Sequence, residues 1–336
     1  MMRTNFSAIR TSSRMTPKYI GRKLADRVAS LPAYLAFWWT KLPPVFRVME
    51  KRYARDIQQD RAVEGLRPVE AAIVAALERD GIFVTDLEAL GLAGPEGFDL
   101  MERGRRLTGK LAGRVPVAGK ACPAVIVGDS ADLIEDRHVF QWGLNAVLLR
   151  IAEAYLHQPV AYDGPIAMFT PADGREAGTR LWHLDREDRR VIKVALYLND
   201  VDADGGPFQL ITTPPCPPNN RFGYSVLTTS AFEQLSGADI APDSLATCTG
   251  KAGSLVFADA ARFYHRGKPP TDQTRSAIFF SYFARRPRHP FFCGRSRLSQ
   301  RDITDLVEEL HPAQQASALW RRGLPWWARL IPPSLL

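Results

Sequence analysis

With 336 residues, 46% hydrophobic and 24% charged, the chain has the composition of an ordinary globular protein and the length to bury a large core, which excludes a disordered or fibrous architecture. The net charge of +8 suggests an anionic partner until it is located: residues 1–57 carry 12 Lys and Arg against 3 Asp and Glu, a balance of +9, so the other 279 residues sum to −1. The body therefore has no nucleic-acid signature, and Cys122, Cys216, Cys248 and Cys293, scattered without a Cys-x-x-Cys pair, exclude a zinc ribbon and predict reduced thiols.

The first 27 residues are rich in Arg, Ser and Thr, with Asp26 as the only acid, and contain no apolar stretch followed by a small-residue cleavage site. They superficially fit a transit peptide but read as a solvated basic leader, and a cytoplasmic protein is expected. An aromatic segment follows, Leu31-Pro-Ala-Tyr-Leu-Ala-Phe-Trp38-Trp39-Thr-Lys41-Leu-Pro43-Pro44, and a similar one closes the chain, Leu324-Pro-Trp326-Trp327-Ala-Arg329-Leu-Ile-Pro332-Pro333. Leu31 to Trp39 is nine residues and includes Pro32, far short of the ~20 that cross a bilayer. Tryptophan beside Lys or Arg suits the membrane interface instead, because the ring is apolar while its N–H stays wet. If the two segments meet on the fold, they give the protein a peripheral membrane contact. The alternative is that both pack onto the body or form a dimer contact.

The body begins at Pro68, suited to the first turn of a helix because its missing N–H is not needed there. Val69, Ile73, Ala76 and Leu77 recur at helical spacing until Gly81, and Ile82-Phe-Val-Thr85 reads as a short strand. Residues 96–111 are expected to be helical, whereas 115–127, broken by Pro, Gly and Ala, have no assigned element. Gln141 to His157 carries the clearest apolar stripe, Leu148, Ile151, Ala152 and Tyr155, and His157 at its C-terminus reads as structural, favoured by the helix dipole.

From Pro165 the texture changes to short extended runs broken by Gly, Pro, Asn and Asp. Strands are expected at 165–170, 179–185, 191–199, 207–212, 223–228, 244–248, 253–258, 262–266 and 275–284. The chain is thus mainly β with flanking helices, around a double-stranded β-helix: a cupin-like jelly roll. Ser299 to Asp302 resembles a capping box, and Ile303, Leu306, Val307 and Leu310 predict a helix up to Pro312 that packs on the barrel's outside.

Within the run 179–185, side chains two apart share a face, so His183 and Asp185 project together. One imidazole and one carboxylate cannot hold a metal alone. The two-histidine, one-carboxylate facial triad of non-haem Fe(II) sites names the missing ligand as a histidine. Of the six histidines, His138, His157, His289 and His311 fall in helical, loop or terminal sequence, while His265 follows an apolar run and is the natural third ligand. Arg275 opens the next strand, where a guanidinium can clamp a carboxylate through two hydrogen bonds. Lys193 interrupts the apolar run Val191 to Leu198: buried, its ammonium needs a carboxylate partner, and on a wet face it needs none.

Residues 165–285 resemble the Fe(II)/2-oxoglutarate-dependent dioxygenases of the phytanoyl-CoA dioxygenase type. The resemblance rests on Trp182-His183-Leu184-Asp185, on Lys193 to Asp202 leading to Gly205-Gly206-Pro207, and on Tyr264-His265-Arg266-Gly267 with Arg275. It implies an oxidoreductase in which His183, Asp185 and His265 are the catalytic Fe(II) ligands and 2-oxoglutarate chelates the metal with its far carboxylate on Arg275. Lys193 would meet a carboxylate of 2-oxoglutarate or of the substrate. O2 would be consumed and succinate and CO2 released as an unactivated C–H of a small-molecule or lipid-like substrate is hydroxylated. Asp185 points to hydroxylation rather than halogenation, because halogenating relatives carry a small residue there. On this reading residues 1–57 are a basic, partly flexible segment. The oxygenase domain is 58–336, with a helical lead-in (58–160), a jelly-roll core (161–290) and a C-terminal helix and tail (291–336).

Two departures bear on the site. Ile211-Thr-Thr-Pro-Pro-Cys-Pro-Pro218 stands where many relatives carry Pro-Gly-Ser-His, which makes substrate inference from relatives unsafe. Ala277 stands where some oxygenases place a serine, so support for the far carboxylate would come from Thr170 or Ser281. The competing readings are a cupin-like metal enzyme that does not use 2-oxoglutarate, which leaves Arg275 without a function, and a non-catalytic metal-binding module.

Overall fold

The computed structural model describes residues 17–59, 65–116, 123–213, 226–236 and 244–334, with side chains described outside 17–27, 58–59 and 234–236. Two helices, α1 (Pro17–Thr40) and α2 (Pro43–Gln59), precede the body. In α3 (Pro68–Arg79), Pro68 occupies the first turn as expected, and Ile73, Ala76 and Leu77 form the buried face. The buried carboxylate of Glu70 accepts from the Arg67 backbone N–H at 3.0 Å and from the Arg150 guanidinium at 2.6 Å. β1 (Ile82–Asp86), α4 (Pro95–Ala112) and β2 (Ile126–Val127) follow.

The expected single helix from Gln141 to His157 is two, because α5 (Ser130–Glu135) and α6 (Arg137–Trp142) precede a break before α7 (Ala146–Leu156). At the break the Gly143 carbonyl accepts from the Tyr282 hydroxyl at 2.7 Å, and Asn145 caps the new helix by accepting from the Val147 N–H at 2.8 Å. His157 ends α7 in the left-handed conformation, φ 53°, with its ring 3.6 Å from Glu78.

The remaining elements are β3 (Val160–Thr170), β4 (Ile192–Tyr197), β5 (Phe208–Ile211), α8 (Thr229–Ser236), β6 (Leu245–Cys248), β7 (Ser254–Asp259), β8 (His265–Gly267), β9 (Arg275–Ala284), α9 (Gln300–Val307), α10 (Pro312–Ala318) and α11 (Trp326–Leu330). They build an antiparallel six-stranded sheet, β1-β7-β4-β9-β3-β2, facing a three-stranded sheet, β6-β5-β8. β4 is buried on both faces. Val194 and Leu196, with Ile278 and Phe280, turn toward the core shared with α3, α4 and α7, while Ala195 and Tyr197, with Ala277 and Phe279, meet Phe208 and Leu210 between the sheets. Each such Val, Leu or Phe contributes roughly 1.5–3 kcal/mol on burial. The architecture is the expected one: mainly β, flanked by helices, with a cupin-like jelly-roll core.

Three local expectations differ. β3 starts at Val160 rather than Pro165 because a bulge, where Gly164 takes φ 87° and the pairing with β9 shifts between Tyr162 and Pro165, carries the strand through the proline. Residues 179–185 are not a strand. Arg180 is wholly buried, and its guanidinium donates to the Pro171 carbonyl at 2.8 Å and the Arg175 carbonyl at 3.1 Å while pairing with Asp173, which folds the approach into a loop and a 3₁₀ turn. Only single bridges remain, Trp182 to Leu227 and His183 to His265. Of the expected strand 223–228, residues 223–225 lie outside the described ones, as do 214–218 of the proline-rich departure. Finally, Ser299 caps α9 as expected, but α9 ends at Val307, short of Pro312, which opens α10.

Among the described residues Cys248 and Cys293 are free, buried thiols, and no helix is long and apolar enough to cross a membrane; Cys122 and Cys216 lie outside.

Candidate metal centre

His183, Asp185 and His265 converge: each offers one ligand atom, all within 4.8 Å of one another, and all three residues are buried. The convergence is built by backbone. His183 and His265 exchange N–H···O=C bonds of 3.1 Å in both directions, which sets them directly opposite on antiparallel segments with rings 4.2 Å apart. The Asp185 N–H donates to the Ala260 carbonyl at 2.8 Å, so the carboxylate is carried to the same point without a ladder. The parity expected for a strand thus holds across a looser extended segment.

The ring nitrogens are already sorted. His183 Nδ1 lies 2.7 Å from the Leu181 carbonyl and His265 Nδ1 lies 3.3 Å from the Phe263 carbonyl. A carbonyl can only accept, so both Nδ1 atoms carry hydrogen, and each Nε2 presents a lone pair. Burial keeps both rings neutral: it pulls His183 down to about 4 and, joined by the Lys193 ammonium, holds His265 well below the ordinary histidine range. Two neutral imidazoles and one carboxylate fit a divalent metal of the Fe(II) type.

Asp185 is not left bare. Lys193 Nζ stands 2.6 Å from Oδ2 and 3.5 Å from His265 Nε2, and Arg295 donates to Oδ1 at 2.9 Å while also pairing with Glu187. Burial alone would push this carboxyl up, but Arg295 and Lys193 outweigh it and hold it well below the usual carboxylate range. Lys193 is therefore on the interior face, not a wet one, where it meets the Asp185 carboxylate. Arg295 is the residue that the sequence reading missed. It lies 110 positions from Asp185, in a segment with no pattern that marks it.

Arg275 sits further along the same interior. A Cβ on Gly267 would lie 2.6 Å from the Arg275 guanidinium, so the arginine fills the place of a side chain two residues beyond His265 on β8. Alternate residues of a strand share a face about 6.5 Å apart, which sets the scale of the separation between the two groups. Arg275 is buried and donates to the Gly206 carbonyl, but its Nε has no hydrogen-bond partner. Thr170, its direct cross-strand neighbour, has a buried Oγ1 without a partner either, and so does Ser281, the neighbour of Lys193. Buried donors left open in this way are what an anionic small molecule would satisfy.

The two terminal aromatic segments also meet. The rings of Trp39 and Trp327 are 6.2 Å apart, edge to face. Phe37 packs inward against Phe291 and Phe292, but Trp38 (49% exposed), Trp39 (51%), Trp326 (70%) and Trp327 (45%) face solvent, so these tryptophans are not core.

No family model and no curated protein matches the chain. Solved structures similar to it include the non-haem α-ketoglutarate-dependent epimerase SnoN from nogalamycin biosynthesis, with 16% identity, a TM-score of 0.43 and coverage of 65% of this chain and 82% of that one. EctD from S. alaskensis with bound Fe has 19% identity, a TM-score of 0.47 and coverage of 69% and 83%. HygX from Streptomyces hygroscopicus with nickel and 2-oxoglutarate bound has 13% identity, a TM-score of 0.43 and coverage of 66% and 88%. Likeness at this level says nothing of substrate or reaction.

Proposed function

We propose that the protein is an Fe(II)/2-oxoglutarate-dependent dioxygenase of the phytanoyl-CoA dioxygenase type that hydroxylates an unactivated C–H of a small-molecule or lipid-like substrate. The observation that carries this is the pairing of a His-Asp-His group, with both Nε2 lone pairs presented, and a buried arginine with an open donor on the same interior face. A metal site alone would not need the second feature. His183, Asp185 and His265 would hold the metal, and Arg275, with Thr170 beside it, the far carboxylate of 2-oxoglutarate. Lys193 would turn from Asp185 to a carboxylate of 2-oxoglutarate or of the substrate. When bound, iron and 2-oxoglutarate supply the oxidising chemistry, with succinate and CO2 as by-products. The chain's share is to orient these groups and, through the buried walls of the two sheets, to keep water out.

Anaerobic titration with Fe(II) and 2-oxoglutarate, followed by succinate release against a metabolite library under air, tests the reading. His183→Ala, Asp185→Ala and His265→Ala should each abolish iron binding, and retention of wild-type affinity removes that residue from the site. Iron binding without any 2-oxoglutarate binding would favour a cupin-like metal enzyme of another kind.

We also infer a peripheral membrane contact through the joined terminal segments, supported by their four exposed tryptophans and by the +9 balance of residues 1–57.

A further inference from the structure

Behind the exposed tryptophans lies a cavity of about 760 Å³ between the terminal helices and the body. Ala36, Val45, Val48, Met49, Pro325 and Trp327 give it apolar walls, and its volume falls within the ~300–1,000 Å³ of small-molecule sites. Its charged groups are mainly cationic: Arg52, Arg189, Arg286 and Arg288, against the single acid Asp56. Arg189 is matched, with Glu50 at 2.8 Å and Asp188 at 3.5 Å. Arg288 is not: among the described residues it forms no ion pair, its guanidinium lies 4.8 Å over the Phe46 ring, and its Nε and Nη2 are buried without a hydrogen-bond partner. Lys41, also in no ion pair among the described residues, is lowered by burial and by Arg288, and Arg288 is lowered by burial and by Arg189, with Glu50 and Asp188 only partly offsetting this. An apolar slot edged by a guanidinium with open donors is complementary to an anionic amphiphile, since only the head can satisfy the donors and only the tail can fill the walls.

We propose that this cavity takes one acyl chain of an anionic phospholipid from the membrane surface, with the headgroup phosphate on Arg288 and the exposed Arg52 and Arg286 at the mouth. The proposal rests on the peripheral-contact reading and adds a defined single-lipid site to it. Two features of the surface favour a bilayer as the source. Val28, Leu31, Leu35, Trp38 and Trp39 are all largely exposed and fall within an arc of about 100° on the α1 wheel, opposite the buried Ala33 and Phe37. Trp326 and Leu330 of α11 extend the same apolar exposure beside Trp39. A lipid leaving the bilayer would reach the cavity along this stripe.

The test uses the full chain and two probes. Dioctanoyl phosphatidylglycerol, dispersed below its micelle concentration, should bind one to one by calorimetry and native mass spectrometry. Arg288→Gln, which removes a cation from a like-charged cluster and spares the packing, should weaken it at least tenfold. Ala36→Phe, which narrows the slot, should do the same with an unchanged melting temperature as the check on folding. Dioctanoyl phosphatidylcholine should bind at least tenfold more weakly, and glycerol 3-phosphate, a head without a tail, should not saturate. Equal binding of the two lipids, equal binding by wild type and Arg288→Gln, or no uptake of dispersed lipid overturns the proposal. Sedimentation with phosphatidylglycerol vesicles separates the underlying reading: Leu35→Glu/Trp38→Glu should lose vesicle binding yet keep the dispersed lipid. A protein that sediments with vesicles but takes up no dispersed lipid retains the membrane contact and loses the cavity site.

Discussion

Gly267 leaves room for the Arg275 guanidinium only because it has no side chain, and this makes the pair a sharper probe of co-substrate binding than either residue alone. A charge-assisted hydrogen bond contributes about 1.5–3 kcal/mol, and 1.4 kcal/mol is tenfold in affinity. Arg275→Ala should therefore weaken 2-oxoglutarate at least tenfold without changing iron affinity, and Gly267→Ala should do likewise by displacing the guanidinium; unchanged affinity in both removes Arg275 from the site. Lys193 makes a different prediction. It and Arg295 balance the buried Asp185 carboxylate, and losing one partner of a buried pair costs roughly 3–5 kcal/mol. With Arg295 still present, Lys193→Met should destabilise the metal-free protein by about 3 kcal/mol in urea unfolding. Fe(II) should then raise the melting temperature of the variant more than that of wild type, because metal bound to the native state takes over the neutralisation. The grouping of His183, Asp185 and His265 was legible in the chain because side chains two apart share a face and a short list of histidines leaves few choices. The Lys193 partner was not, since a buried cation calls for an anion without saying which.

At the scale of elements, α1 is tied to the segment that follows His183 and Asp185 through one histidine. His289 Nε2 lies 3.2 Å from the Thr40 hydroxyl on α1, while Nδ1 lies 2.6 Å from the Arg186 carbonyl and its backbone N–H donates to the Glu187 carbonyl at 2.9 Å. Burial, then Arg288 and Lys41, pull this ring down from 6.5 to about 3. The unfolded chain takes up a proton that the folded one refuses, so the contribution is intact above pH ~6.5 and is lost as pH falls toward about 3. Between pH 6.5 and 5 the loss is at most about 2 kcal/mol. In urea unfolding, the stability lost by wild type between the two pH values should exceed that lost by His289→Gln by up to that amount. Asp163 and Asp188, raised to about 6 by burial, act in the opposite sense and cancel in the comparison. The apolar runs of β4 and β9 announced themselves because both faces are buried. The loop before His183 did not, because it exists to supply carbonyls to Arg180, and that need arises only in three dimensions.

For the whole molecule, the meeting of the two chain ends predicts a salt-sensitive membrane contact. Wild type should sediment with anionic vesicles at low salt, less so at high salt, and Leu35→Glu/Trp38→Glu should not sediment at either; absence of binding at low salt leaves the tryptophans for another partner. The echo of Trp-Trp with a basic residue was readable in the sequence, but its exposure was not, because periodicity cannot say which of two apolar faces of α1 is covered. That double-faced helix has a colloidal consequence. In dilute buffer a net charge of +8 keeps copies of the chain apart, with a screening length of about 10 Å at 0.1 M salt that shrinks to about 3 Å at 1 M. Added salt should thus release the protein from anionic vesicles and, in the same tube without vesicles, drive it into self-association, a rise in sedimentation mass that the double glutamate variant suppresses.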